Sequence, residues 1–170
     1  LLKGVVELGF ETPTPVQEKV IPLLLKGQRE LVAWAETGTG KTAAFGLPLL
    51  QLTDPARPVI QALVLAPTRE LGVQIAKDLA DFGRFAPHLR VLPVCGGAPI
   101  HTQMRTLERG VHILVATPGR LNDLMRRGSV RLDQVQRVVL DEADEMLNMG
   151  FQEELESILK DVPDQARTLL

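Results

Sequence analysis

Short unbroken apolar runs alternate along this chain with longer stretches whose apolar residues recur every three or four positions. They lie in the strand stretches Leu31 to Ala35, Ala62 to Ala66, Arg90 to Val94, Val111 to Ala116 and Arg137 to Leu140, apolar apart from Arg90, His112 and Arg137. Each has the length of a strand buried on both faces. Between them, Leu71, Ile75, Leu79 and Phe82 step by four, four and three, the buried face of a helix. Ile100, Met104 and Leu107 mark another helix, Leu121, Leu124 and Met125 a third, and Phe151, Leu155, Ile158 and Val162 a last one. Near the start, Leu1, Leu2, Val5, Val6 and Leu8 make a short helix ending at Gly9. A second helix opens at Thr14, with Pro15 at its first position, and runs to about Lys26, where Gly27 stops it and Pro22 can kink it. Thr68 and Thr117 are read as N-caps of the helices that follow them. Gly72 inside the first of these costs about 1 kcal/mol against alanine. The pattern predicts an α/β fold: a mostly parallel sheet with helices on both faces.

Composition changes this picture little. The chain has 170 residues, enough for one domain with a real core, and its 45% apolar and 24% charged content is ordinary for a soluble globular protein. No apolar run approaches a membrane span, and no signal-peptide pattern opens the chain. A formal net charge of −2 does not suggest a wholesale nucleic-acid binder, so any such contact must come from a few placed arginines. Cys95 is the single cysteine, which excludes an internal disulfide; it reads as a small buried strand residue in a protein of the reducing cytoplasm. Leu1 is no initiator and Thr168 to Leu170 looks like a strand cut short, so a fragment of something longer is expected.

The chemistry starts at residues 30 to 46. There an apolar run leads into Glu36-Thr37-Gly38-Thr39-Gly40, and Lys41-Thr42 opens a helix. Strand, glycine turn and Gly-Lys-Thr at a helix start form the context of a phosphate-binding loop. Unpaired N–H groups at the helix start and its dipole favour an anion. Gly38 and Gly40 let the backbone wrap phosphate oxygens, Lys41 reaches the terminal phosphates, and the Thr42 hydroxyl suits Mg²⁺. Ala35 stands where the strict pattern has its first glycine, so the match is to the variant Ala-x-Thr-Gly-x-Gly-Lys-Thr. Asp141, at the end of Val138-Val139-Leu140, is placed to hold the metal, and Glu142 to orient or deprotonate the attacking water.

In parallel sheets ligands bind at the carboxyl edge of the strands, and every informative stretch falls there: 36–42, 67–70, 96–97, 117–120 and 141–144. Arg69 and Arg120 sit in the first turns of their helices, where the dipole disfavours a cation. Either an extended anion such as a nucleic-acid backbone removes the conflict, or the arginines pair with acids such as Glu70 and Asp123. Gln17, three residues after Thr14, completes a capping box or presents its amide to an adenine edge.

Taken together these stretches resemble the DEAD-box RNA helicases, specifically their first RecA-like domain, over residues 4 to 170 and in family order; Asp141-Glu142-Ala143-Asp144 spells the family name. The resemblance implies a RecA-like P-loop fold, ATP and Mg²⁺ as cofactors, single-stranded or duplex RNA as a partner, and a second RecA-like domain outside this chain. It also implies a monomer with no membrane role. Gly9 to Gln17 is similar to the Q motif, which implies that Gln17 reads adenine and Phe10 stacks on it, with Thr12 in the same stretch. Ala35, Glu36, Thr37, Gly38, Thr39, Gly40, Lys41 and Thr42 resemble motif I, although Glu36 stands where the family often has glutamine. Asp141 and Glu142 resemble the metal-holding and water-activating pair of motif II. Pro67-Thr68-Arg69-Glu70, Gly96-Gly97 and Thr117-Pro118-Gly119-Arg120 resemble the motifs that grip RNA phosphates. Trp34, just before the loop, is expected to fill core. A nucleotide-dependent RNA-binding module without unwinding, and a P-loop ATPase whose rim arginines bind protein, are the two other functions weighed against this one.

Overall fold

The computed structural model describes residues 1–27, 30–36, 38–86 and 88–170. Among the described residues six strands, all paired in parallel, form one sheet in the order β1-β6-β5-β2-β4-β3. They are β1 (Glu30–Leu31), β2 (Ala62–Leu65), β3 (Val91–Val94), β4 (Ile113–Ala116), β5 (Arg137–Leu140) and β6 (Arg167–Leu169). β2 and β4 are buried at every position, which is why they read as unbroken apolar runs. Successive side chains serve opposite faces. Ala62 and Val64 of β2 join one core cluster with Phe45, Ile75, Leu79 and Phe82. Leu63 and Leu65 join the other with Leu121, Leu124, Met146 and Ile158.

The first cluster is covered by α3 (Lys41–Leu52) and α4 (Arg69–Phe82), with α2 (Pro15–Lys26) packed on α3 and α1 (Leu2–Glu7) on α4. The second is covered by α5 (Ile100–Glu108), α6 (Pro118–Arg126), α7 (Ala143–Asn148) and α8 (Gln152–Lys160). Gly72 sits where α4 meets the end of β3: a Cβ there would lie 2.8 Å from Cys95 Sγ. The helical cost of that glycine therefore allows close packing, and Cys95 is buried, as expected. At the amino edge, Arg137 and Arg167 stand side by side in register, like charges that should repel. Arg137 Nη1 donates to Leu52 O near the end of α3 at 3.4 Å, and the Arg167 guanidinium lies against Gly27 at the end of α2. Helix C-termini offset the repulsion there.

The apolar run at Leu31 to Ala35 does not form one long strand. β1 holds two residues, followed by extended chain in which Ala33 N–H donates to Leu170 O at 2.9 Å. β1 is an edge strand with one neighbour, β6. Trp34 follows the last paired residues and is 91% exposed, so it fills no core. Among the described residues no helix is long and apolar enough to cross a membrane.

Candidate functional site

Because every strand pair is parallel, the ends of β1 and β5 share one edge of the sheet. The loop before α3 and the turn after β5 therefore meet. Lys41, Asp141 and Glu142 line the same cleft, of about 380 Å³, which continues past Gly38, Gly40 and Thr42 to Phe10 and Phe82. A second cavity of about 600 Å³ opens beside it, lined by Trp34, Ala35, Glu36, Lys41, Asp141 and Glu142 among others.

The loop has the conformation its residues require. Gly38 and Gly40 have φ of +83° and +89°, a left-handed region that favours glycine. Gly40 is the N-cap of α3, and a Cβ on it would collide with the Gln17 amide. Thr39 Oγ1 donates to Glu36 O at 2.7 Å, closing the turn on itself. Ala35 is half-buried and Glu36 exposed. Thr37, expected to bind phosphate, lies outside the described residues.

Asp141 is buried beside the loop. Burial pushes its carboxyl above the ordinary range; Lys41 pulls in the other direction, Glu142 pushes further up, and a backbone hydrogen bond at Glu142 lowers it again. A carboxylate kept from water with one nearby ammonium is poised to gain from a cation. Glu142 adopts φ +53° and ψ +50°, one of two described non-glycine residues at positive φ. Such backbone costs of order 1–3 kcal/mol and concentrates at functional sites. Asp144 is exposed, as a solvated residue of the acidic turn would be.

Gln17 is only 3% exposed and both ends of its amide are engaged. Oε1 accepts from Thr14 N–H at 3.0 Å, the half of a capping box that fixes the start of α2. Nε2 donates to Gly40 O at 3.2 Å, tying α2 to the phosphate-type loop. Phe10 is exposed on one side and meets Phe82 edge to face, with ring centroids 5.8 Å apart. Thr12 is exposed and does not line the cleft. The sequence reading missed Asp78, Asp81 and Phe82, which line it from α4. Burial raises Asp78, Gln74 lowers it through a side-chain hydrogen bond, Asp81 raises it, and Lys77 lowers it.

Along the same edge, Pro67, Thr68 and Arg69 end β2 and start α4, and Thr68 Oγ1 accepts from Leu71 N–H at 3.3 Å as the expected N-cap. Thr117 occupies the N-cap position of α6, but its side chain makes no capping bond. Arg69 is exposed and lies against Gly97, whose φ of +74° and missing Cβ make room for the guanidinium. Arg120 Nη1 donates to Ala98 O at 2.9 Å and to Gln103 Oε1 at 2.8 Å. Gly119 is exposed beside it. Asp123 pairs with Arg127 instead, at 2.8 Å. Among the described residues neither Arg69 nor Arg120 has an acidic partner, which removes the acid-pairing explanation of their positions.

Comparison with known proteins agrees with this geometry. The DEAD/DEAH box helicase family model matches residues 14–170. The ATP-dependent RNA helicase CshA of Limosilactobacillus reuteri is 50% identical over 170 residues, covering 100% of this chain and 34% of that protein. The crystal structure of a DEAD box protein from Methanococcus jannaschii superposes with a TM-score of 0.92 at 41% identity, covering 99% of this chain and 46% of that one. A structure of Saccharomyces cerevisiae Dbp5 bound to partners and ADP gives 0.90 at 33% identity, covering 99% of this chain and 44% of that one. The chain thus spans about a third of the length of the curated relatives it matches.

Proposed function

Since the chain belongs to the DEAD/DEAH box helicase family, we propose that it is the first RecA-like domain of an ATP-dependent RNA helicase, binding ATP with Mg²⁺ and working in the cytoplasm with a second RecA-like domain of the same protein. The observation that carries this reading is the meeting of Lys41 with Asp141 and Glu142 in one cleft that runs on to Phe10. The phosphates would sit on the backbone N–H groups between Gly38 and Thr42, with the Lys41 ammonium on the terminal ones. Phe10 would stack on adenine, its ring steadied by Phe82.

The donor set fits Mg²⁺: the Thr42 hydroxyl and the Asp141 carboxylate are hard oxygen ligands. Among the described residues no three His, Cys, Asp or Glu side chains gather around one point, so phosphate oxygens and water would complete the coordination. When bound, the ion neutralises charge on the phosphates, and it would relieve the ionic cost of Asp141. Glu142 would take the proton of the attacking water. Arginines of the second domain would stabilise the transition state, so the chain alone should hydrolyse ATP slowly.

RNA phosphates would lie on the rim formed by Pro67, Thr68, Arg69, Gly97, Thr117, Gly119 and Arg120. The lack of acidic partners for the two arginines supports this reading. Burial of Gln17 sets a condition on adenine recognition. Its amide must either release Gly40 O, which would couple base binding to loop position, or use its remaining N–H.

Titration of the chain with a fluorescent ATP analogue tests the reading. Lys41→Ala should abolish binding and ATP should compete the probe away. Unchanged affinity in Lys41→Ala would remove the phosphate loop from the account.

A further inference from the structure

We propose that Gln103, on α5, is a positioning residue for Arg120: it fixes which edge of that guanidinium meets a nucleic-acid phosphate. The inference deepens the RNA reading above and rests on it. Gln103 is 6% exposed on an otherwise apolar helix face, where a leucine of similar size would bury well. Both ends of its amide are used. Nε2 donates to Cys95 O, at the end of β3, at 3.1 Å. Oε1 accepts from Arg120 Nη1 at 2.8 Å. The orientation is unambiguous, because a guanidinium only donates and a carbonyl only accepts.

The same Nη1 also donates to Ala98 O at 2.9 Å. Nη1 carries two hydrogens, so both are committed. What is left is the edge made by Nε–H and Nη2, the pair that meets a phosphate with two parallel bonds. Among the described residues no hydrogen bond or ion pair engages that edge. Gln103 thus carries the position of β3 into the aim of Arg120. Arg69 reaches the same turn at Gly97, so the two cations are held to one short segment.

The test is binding of a fluorescein-labelled oligouridylate by the chain, followed by anisotropy across a range of KCl concentrations. Arg120→Ala should weaken binding about tenfold and flatten the dependence of log K on log salt by about 0.7. Gln103→Leu should produce a several-fold part of the same loss and a flatter slope. The double variant should bind no worse than Arg120→Ala alone. In the RNA complex of Gln103→Leu the Arg120 Nε–H resonance should also lose the exchange protection that the phosphate gives it in the parent complex, a change a merely structural role would not cause. Gln103→Met replaces the leucine variant should that one unfold.

Gln103→Leu with the affinity and slope of the parent, beside a weakened Arg120→Ala, would overturn the positioning role and leave the RNA reading standing. Fully multiplicative losses in the double variant would also overturn it, since Gln103 would then act elsewhere. A parent chain with no salt-dependent RNA binding would sink the RNA reading and this inference together.

Discussion

Replacing Gln17 separates two roles that one side chain holds at once. Gln17→Ala removes the acceptor for Thr14 N–H and the donor to Gly40 O, bonds of 3.0 and 3.2 Å. Each such bond contributes about 1 kcal/mol net. The first is also the capping half of α2, within the 0.5–2 kcal/mol range roughly expected for a lost cap. Together the loss should be about 2 kcal/mol, and for a domain of this size each 1 kcal/mol moves the melting midpoint roughly 2–4 °C. Thermal unfolding of Gln17→Ala should therefore show a midpoint about 4–8 °C lower. Gln17→Glu keeps an acceptor for Thr14 N–H but buries a carboxylate oxygen against Gly40 O, so its fall should be at least as large. Parallel titrations with ATP and GTP complete the experiment. Both variants should weaken ATP binding, and the excess loss for ATP over GTP measures base reading as distinct from loop support. An unchanged midpoint in Gln17→Ala would refute the structural role assigned to the amide. Equal losses for ATP and GTP would leave Gln17 as a loop support only.

Other consequences follow from single features of the site and core. Burial holds the Asp141 carboxyl above its ordinary value, so its ionised form costs the fold stability. That cost is present above the raised folded-state value and vanishes below the unfolded value of about 4. Asp141→Asn should therefore melt higher than the parent at neutral pH without metal, and the gap should close in acid; a lower midpoint at neutral pH would contradict the burial argument. Glu142 occupies left-handed backbone, a cost of roughly 1–2 kcal/mol that glycine escapes while adding unfolded-state entropy. Glu142→Gly should thus hold its stability within about 1 kcal/mol while hydrolysis by the full-length protein falls about 10²–10⁴-fold; a marked fall in its midpoint would show the backbone is not strained. Gly72→Ala should destabilise by about 1–3 kcal/mol despite its better helix propensity, because its Cβ meets Cys95 Sγ. Adding Cys95→Ala should restore the midpoint, and failure to do so would place the clash elsewhere.

Much of this molecule is readable from residue pattern because its strands are buried on both faces. Ala62 to Leu65 and Ile113 to Ala116 have no polar side to blur the signal. Gly40 followed by Lys41 and Thr42 marks the loop by chemistry that few other contexts need. The edge strand was harder. Val32 and Trp34 look like core residues beside Leu31 and Ala33, yet both are exposed, because hydrophobicity does not report how many neighbours a strand has. Thr117 holds an N-cap position without the bond, a matter of side-chain rotation that spacing does not encode. Gln103 carried a signal that went unused: a polar amide between Ile100 and Leu107 on the buried stripe of a helix needs partners. Asp78 and Asp81 carried none, since they reach the cleft through the crossing of α3 and α4, a tertiary fact.

The claim on which the account turns is that Lys41 and Asp141 act on one metal-bound nucleotide. ATP affinity of the chain, measured with Mg²⁺ and with chelator, tests it most directly in the parent and in Asp141→Asn. The parent should bind more tightly with Mg²⁺ and Asp141→Asn should lose that gain. An Asp141→Asn chain that keeps the parent's full dependence on Mg²⁺ would show that this carboxylate faces some other task.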